Sequence, residues 1–190
     1  MQVLLLMGPP GAGKGTQARR LVEDYGWAYL ATGDLLRQEI QAGTPLGKNI
    51  QALVEGGKLI PDQLIVSLVE QQLQEGRTYL LDGFPRTVGQ AEALEALLRR
   101  KNARLLGALF LEVPEDTLLA RIQGRAQVEH RADDSLDTFR IRLEEYHQKT
   151  RPLAAWYEER GLLRRINGVG SIEEVHHRLK EAIGELLKQA

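Results

Sequence analysis

The chain has 190 residues, 43% of them hydrophobic and 27% charged, which suits one compact domain with a sizeable core and room for small flaps. A formal net charge of −1 gives no general pull toward nucleic acid or membrane, and the absence of cysteine excludes disulfides, a thiol nucleophile and a cysteine-ligated zinc site. The opening apolar run is far too short to span a bilayer and does not read as a signal peptide, so a cytoplasmic address is the default.

The first predicted strand is Val3–Met7, and directly after it comes GPPGAGKGTQ. A strand that ends in a glycine-rich loop and opens a helix is the setting in which backbone N–H groups cradle phosphates. Gly8, Gly11, Gly13 and Gly15 can take the angles that turn those groups inward, and a helix starting near Lys14 adds its positive dipole end. Lys14 then reaches the β- and γ-phosphates as a point charge. A glycine-rich turn with an incidental lysine is the alternative. One position departs from the usual loop: Ser or Thr normally follows the lysine, whereas here Gly15 does and the hydroxyl comes at Thr16.

The second predicted strand, Trp27–Ala31, runs into ATGDLLR and so puts Thr32, Asp34 and Arg37 at the same rim. From Thr32 to Arg77 the pattern is helical with no strand, more than one crossover requires, with helix starts at Thr44-Pro45 and Pro61-Asp62. The third strand, Thr78–Asp82, ends in a carboxylate followed by GFPRT. Strand C-termini in an open α/β sheet face the ligand crevice, so Asp82 and Arg86 are expected there, Arg86 with the fork that grips a phosphate. An exposed turn arginine is the plain alternative. Gln90 reads two ways: it completes a capping-box pattern with Thr87, and its amide also matches the N6 and N1 edge of adenine.

A fourth strand is predicted at Leu105–Val113, with a helix from Pro114-Glu115 that carries Arg121 and Arg125 at i, i+4 if it persists that far. The polar piece GRAQVEHRADDS interrupts the pattern, and Arg131 and Arg142 follow. Each arginine alone reads as a solvated surface group; the set reads as a cleft that an anion holds together. His147 reads as a helix histidine packed beside Tyr146, since transfer between phosphates needs no proton shuttle. The fifth strand is Leu162–Ile166, and the last helix opens on a capping box, Ser171 with Glu174, and shows Ile172, Val175, Leu179, Ile183 and Leu186 on one face. Strands alternating with helices predict an α/β fold: a doubly wound, mostly parallel five-stranded sheet with two mobile excursions.

The chemistry follows from these groups. A transferring phosphoryl is nearly planar and spreads its charge over its oxygens, so positive side chains that meet it there lower the barrier. No covalent nucleophile or general base stands out, which leaves positioning and electrostatics. The Asn-Lys-x-Asp base reader of a GTPase is missing, and Gly-Phe-Pro-Arg follows Asp82 where a motor ATPase would be expected to carry its hydrolytic acid.

GPPGAGKGTQ, TGDLLR, GKLIPD, LLDGFPRT with Gln90, RIQGR, RADD and RIRLEEYHQKTRPL together resemble the adenylate kinases of the nucleoside monophosphate kinase family, nearly end to end. In that family Gly-Lys-Gly-Thr is the normal loop. The resemblance implies a P-loop NTPase fold in a single domain of residues 1–190, with an AMP-binding flap at 32–61 and a short lid at 124–134. It implies reversible transfer from Mg-ATP to AMP giving two ADP, with Mg2+ as cofactor, the small nucleotides ATP, AMP and ADP as partners and a monomeric state. Gly11, Ala12, Gly13, Lys14, Gly15 and Thr16 would hold ATP phosphates, with Arg121 and Arg125 on the ATP side and Gly170 beside its adenine. Thr32, Arg37, Lys58, Leu59, Ile60, Gly83, Phe84, Pro85, Arg86 and Gln90 would form the AMP site, joined by Arg131 and Arg142. Lys14, Arg86, Arg125, Arg131 and Arg142 would act on the moving phosphoryl. Asp82, and less directly Asp34, would order water around magnesium. A zinc lid is excluded by the missing cysteines. The rivals are a UMP/CMP kinase, which usually has Ala-Gly for Thr32-Gly33 and Asn for Gln90, and an inactive nucleotide-binding module, which would have lost Lys14 or several arginines. The short lid leaves open how fully water is shut out. Val88-Gly89 stands where proline is common in relatives, and Ala31 where serine is.

Overall fold

Leu4, Leu5 and Leu6 are consecutive and all fully buried, as a strand allows only when helices cover both its faces. They lie in β1 (Gln2–Met7) of a sheet that also holds β2 (Ala28–Ala31), β3 (Thr78–Asp82), β4 (Arg104–Glu112) and β5 (Leu163–Asn167). The computed structural model describes residues 1–58, 60–129 and 136–190, and the side chains of these except 125–129. Strand order is β2-β3-β1-β4-β5 and every pairing is parallel. The strands match the predicted ones to within a residue at each end: Trp27, Val113 and Leu162 fall just outside. The chain leaves β1 toward β2 on one side and leaves β3 toward β4 on the other. That reversal opens a crevice at the C-terminal ends of β1 and β3, the strands that lead into the glycine loop and Asp82.

Alternate residues of the strands feed two cores. Leu4, Leu6 and Leu80 pack with α1 (Lys14–Tyr25) and α8 (Ile172–Lys188), joined by Leu118 and Ile122 of α6 (Glu115–Glu129). Val3, Leu5 and Leu81 pack with α4 (Asp62–Gln72) and α5 (Val88–Arg100). The long α7 (Leu136–Glu159) serves both: Phe139 and Leu143 join the first core, Leu153 and Tyr157 the second. Its middle, which includes Arg142, is thereby carried past the crevice.

The α8 capping box forms in both arms, with Glu174 N–H on Ser171 Oγ at 3.1 Å and Ser171 N–H on Glu174 Oε1 at 3.3 Å. Its buried face starts at Val175 rather than Ile172, which is 50% exposed. Ile172 occupies the first helical position, one turn short of the core, and helical spacing alone does not say where the covered surface begins. His147 meets Tyr146 edge-on at 5.6 Å between ring centres, the packing expected of it.

Among the described residues, the stretch after β2 consists of α2 (Thr32–Ala42), α3 (Pro45–Glu55) and α4, with no strand before β3. Thr44 caps α3 by accepting from Gly47 N–H at 2.9 Å, and its own hydroxyl donates to Glu39 Oε2 at 2.6 Å. Gly47 lies so close to α2 that a Cβ there would stand 1.9 Å from the Glu39 carbonyl oxygen. Gly47→Ala is therefore expected to push the two helices apart and cost about 2 kcal/mol. A denaturation midpoint equal to that of the parent would show that this close approach does not hold. The polar piece after Arg121 departs from expectation at its start: α6 continues helical to Glu129, so 124–129 extend the helix and Arg125 stands on it. The side chain of Arg125, and all of Arg131 and Leu59, lie outside the described residues.

Candidate active site

The loop between β1 and α1 has two residues in the left-handed region, Gly11 at φ 81° and Gly13 at φ 83°. Gly8 and Gly15 do not use that freedom, a correction to the expectation for all four. Gly8 is small for another reason, since its Cβ would lie 3.2 Å from that of Leu111. Gly13 is also the N-cap of α1, and among the described residues no side chain caps that helix. Its first N–H groups stay available to an anion at the positive end of the dipole. Just inside, Gln17 is buried and donates to the Ile172 carbonyl at 3.0 Å, tying the loop's helix to the start of α8.

Lys14 reaches across the crevice to Asp82, the last residue of β3, and donates to Oδ1. The other oxygen, Oδ2, accepts from the Tyr29 hydroxyl at 2.5 Å. Asp82 is buried while a quarter of the Lys14 side chain (26%) is exposed, so the lysine can swing out where the carboxylate cannot. On the other flank Arg121 donates to the Gly11 carbonyl at 3.2 Å and the Gly168 carbonyl at 3.1 Å, joining the loop to the segment before α8. In that segment Gly170 has φ 121°, and a Cβ there would press on the Glu174 carboxylate at 3.2 Å.

Beyond Asp82 the chain turns through Gly83, a cis Phe84–Pro85 bond and Arg86. Two donors converge on the Gly83 carbonyl: Arg86 Nε at 2.9 Å and Thr32 Oγ1 at 3.3 Å. Gln90 is buried and fully engaged. Its N–H bonds Thr87 Oγ1 at 3.2 Å, its Oε1 accepts from Arg86 N–H at 2.8 Å, and its Nε2 donates to Asp62 Oδ1 at 2.9 Å. The hydroxyl arm of the expected capping box is present, but the returning arm reaches Arg86 instead of Thr87. Arg37 is exposed and paired with Asp34 one turn before it; Lys58 is exposed and Ile60 half-buried.

These elements enclose a void of about 660 Å³ that brings together loop residues 8–16, Gly83, Pro85, Arg86 and Arg142. Thr32, Gln90 and Arg121 bond to its lining residues Gly83, Arg86 and Gly11 without lining it themselves, and Arg37 and Gly170 are not part of its wall. Its far wall goes beyond the residues expected from sequence: Glu145, Tyr146, Lys149 and Thr150 of α7 line it as well. Helical spacing from Arg142, at i+3, i+4, i+7 and i+8, is the signal that could have found them. Burial pushes the Tyr146 phenol up to about 12, so it stays neutral. Two lysines (Lys14, Lys149) and three arginines (Arg19, Arg86, Arg142) thus face one space, with Glu145 on its far wall and the buried Asp82 carboxylate held by Lys14 at its edge. Such a place binds a chain of phosphates and stabilises charge moving along it. Among the described residues no three His, Asp or Glu side chains gather as a metal-binding group, and no helix is long and apolar enough to cross a membrane.

A family model described as Adenylate kinase matches residues 6–162. An adenylate kinase of Thermus thermophilus is 49% identical over 183 residues, covering 96% of this chain and 97% of that protein. One from a Synechococcus species is 47% identical over 178 residues, covering 93% and 95%. One from Xylella fastidiosa is 43% identical over 184 residues, covering 95% and 98%.

Proposed function

The chain belongs to the adenylate kinase family, and on that premise we propose how its cleft divides the work of moving a phosphoryl group. The enzyme catalyses reversible transfer from ATP to AMP, giving two ADP and so balancing the adenine nucleotides. The ATP side is the loop from Gly11 to Thr16, with Arg121, Arg125 and Gly170 around it. The AMP side is Thr32, Arg37, Lys58 to Ile60, Gly83 to Arg86 and Gln90. Lys14, Arg86 and Arg142 follow the charge in transfer, with Arg125 and Arg131 joining them. The observation that carries this reading is the shared void, in which Lys14 of α1, Arg86 after β3 and Arg142 of α7 face the same space.

Magnesium ions keep most of their water and bind through one or two carboxylates plus phosphate oxygens. A buried carboxylate beside the phosphate loop is a hard oxygen donor of that kind, and Asp82 would hold the ion through water. Held there, magnesium would supply positive charge that offsets the charge of the phosphate chain. Residues 32–61 as a moving flap, 124–134 as a lid, a monomeric state and a cytoplasmic place belong to the same proposal and rest on the family.

Gln90 tests the acceptor side. In the adenine-reading role its amide leaves Asp62 for the base, while Oε1 keeps its bond to Arg86. Gln90→Ala is expected to raise the KM for AMP about tenfold and to narrow the AMP-over-CMP preference, with kcat little changed. It also leaves the partly buried Arg86 N–H without its partner, at about 1 kcal/mol of stability. An unchanged AMP-to-CMP ratio in a folded variant would remove Gln90 from base recognition.

A further inference from the structure

Tyr29 has no part in the roles above, yet its hydroxyl touches the carboxylate at their centre. It lies on β2, which pairs with β3 so that Tyr29 stands opposite Leu80 and Ala31 opposite Asp82. Alternation along a strand puts Tyr29, Leu80 and Asp82 on one face of the sheet. The ring packs into the core beneath that face, which leaves its hydroxyl level with the Asp82 side chain one strand away. The carboxylate is consequently gripped at both oxygens by different elements: Oδ1 by Lys14 of α1, Oδ2 by Tyr29 of β2 at 2.5 Å. The two grips differ in kind. Lys14 sits on a flexible four-carbon stem and is the group assigned to the moving phosphate. Tyr29 has a rigid ring fixed by packing, and burial with the Asp82 hydrogen bond holds its phenol well above its ordinary range, so it remains a donor.

When Lys14 turns to a bound triphosphate, Oδ1 loses its partner. The terminal torsion of an aspartate is broad and roughly two-fold, so a carboxylate held at neither oxygen would sample many settings. We propose that Tyr29 is a positioning residue for Asp82: it holds Oδ2 throughout turnover, so that Oδ1, once released by Lys14, points at the metal-bearing end of the nucleotide. This rests on the kinase reading and deepens it. Groups that orient a metal's ligands from outside typically matter by 10–100-fold in affinity or activity.

Tyr29→Phe keeps the ring and removes only the hydroxyl. ATP binding without AMP, followed by calorimetry in Mg2+ and again in EDTA, separates the roles. The variant is expected to bind ATP in EDTA as the parent does and to lose about tenfold of the affinity that Mg2+ adds. The same loss is expected in kcat, with the KM for AMP unchanged. In an Asp82→Asn background the Tyr29→Phe change is expected to have no further effect, because its only route is through that carboxylate. A Mg2+-linked gain equal in parent and Tyr29→Phe overturns the proposal, and so does an effect that persists beside Asp82→Asn. A hydroxyl that only stabilises the strand would show in the unfolding midpoint and in neither binding measurement. Failure of the kinase reading is distinct: the parent would then transfer nothing to AMP, whatever its Mg2+-linked binding.

Discussion

Lys14→Met is expected to lower kcat about 10³-fold while the protein stays folded. The methionine keeps the length of the side chain and removes its charge. What is lost is the cation that spans from the phosphate loop to the crevice floor, where Lys14 now meets Asp82. A cation that tracks charge from the β-phosphate to the departing phosphoryl is stronger in the transition state than in the ground state, so its loss falls on kcat more than on KM. Removing it leaves the buried Asp82 carboxylate without its counter-charge, so the unfolding midpoint is expected to fall while the protein stays folded. The lysine side chain is 26% exposed, and Asp82 keeps its bond to Tyr29 when Lys14 is gone. Steady-state rates with an unfolding curve on the same sample check this. A variant within tenfold of the parent would take the lysine out of the reacting path.

Arg86→Ala is the second large effect, a fall in turnover of about 10²–10³ with an unchanged unfolding midpoint. Arg86 is exposed, and its side-chain bond goes to the nearby Gly83 carbonyl, the same carbonyl that Thr32 approaches. The guanidinium is parked there by a neutral acceptor that an AMP phosphate can replace with a better, bidentate one. Its backbone N–H carries the structural duty, bonding Gln90, and alanine keeps that bond. Near-parent activity in the variant would place Arg86 outside the site.

The core of the fold was legible because parallel strands covered on both faces must be apolar without alternation, and Leu4 to Leu6 and Tyr79 to Leu81 are. The phosphate loop was legible because spacing and context coincide in ten residues. Local caps at Thr44 and Ser171 could be read directly, since both partners lie within three positions of each other. Groups whose role depends on which strands become neighbours could not. Tyr29 gains meaning only when β2 pairs with β3, and Arg121 only when Gly11 and Gly168 come to the same place. Gln90 shows the limit within a single motif. The pattern named the residue and offered two uses for its amide, yet Oε1 takes the Arg86 N–H and Nε2 goes to Asp62 on another helix, 28 positions away.

The most direct measurement is phosphoryl transfer from Mg-ATP to AMP, CMP, UMP and GMP in parallel, with ADP formation followed and an acceptor-free control. Rapid transfer to AMP, with the other three far slower and little hydrolysis in the control, is the expected result. Preference for CMP or UMP would contradict the base assignment at Thr32 and Gln90 while leaving the arginine cleft in place. No transfer to any acceptor, with ATP still bound, would contradict the central claim that Lys14, Arg86 and Arg142 surround a phosphoryl group in motion.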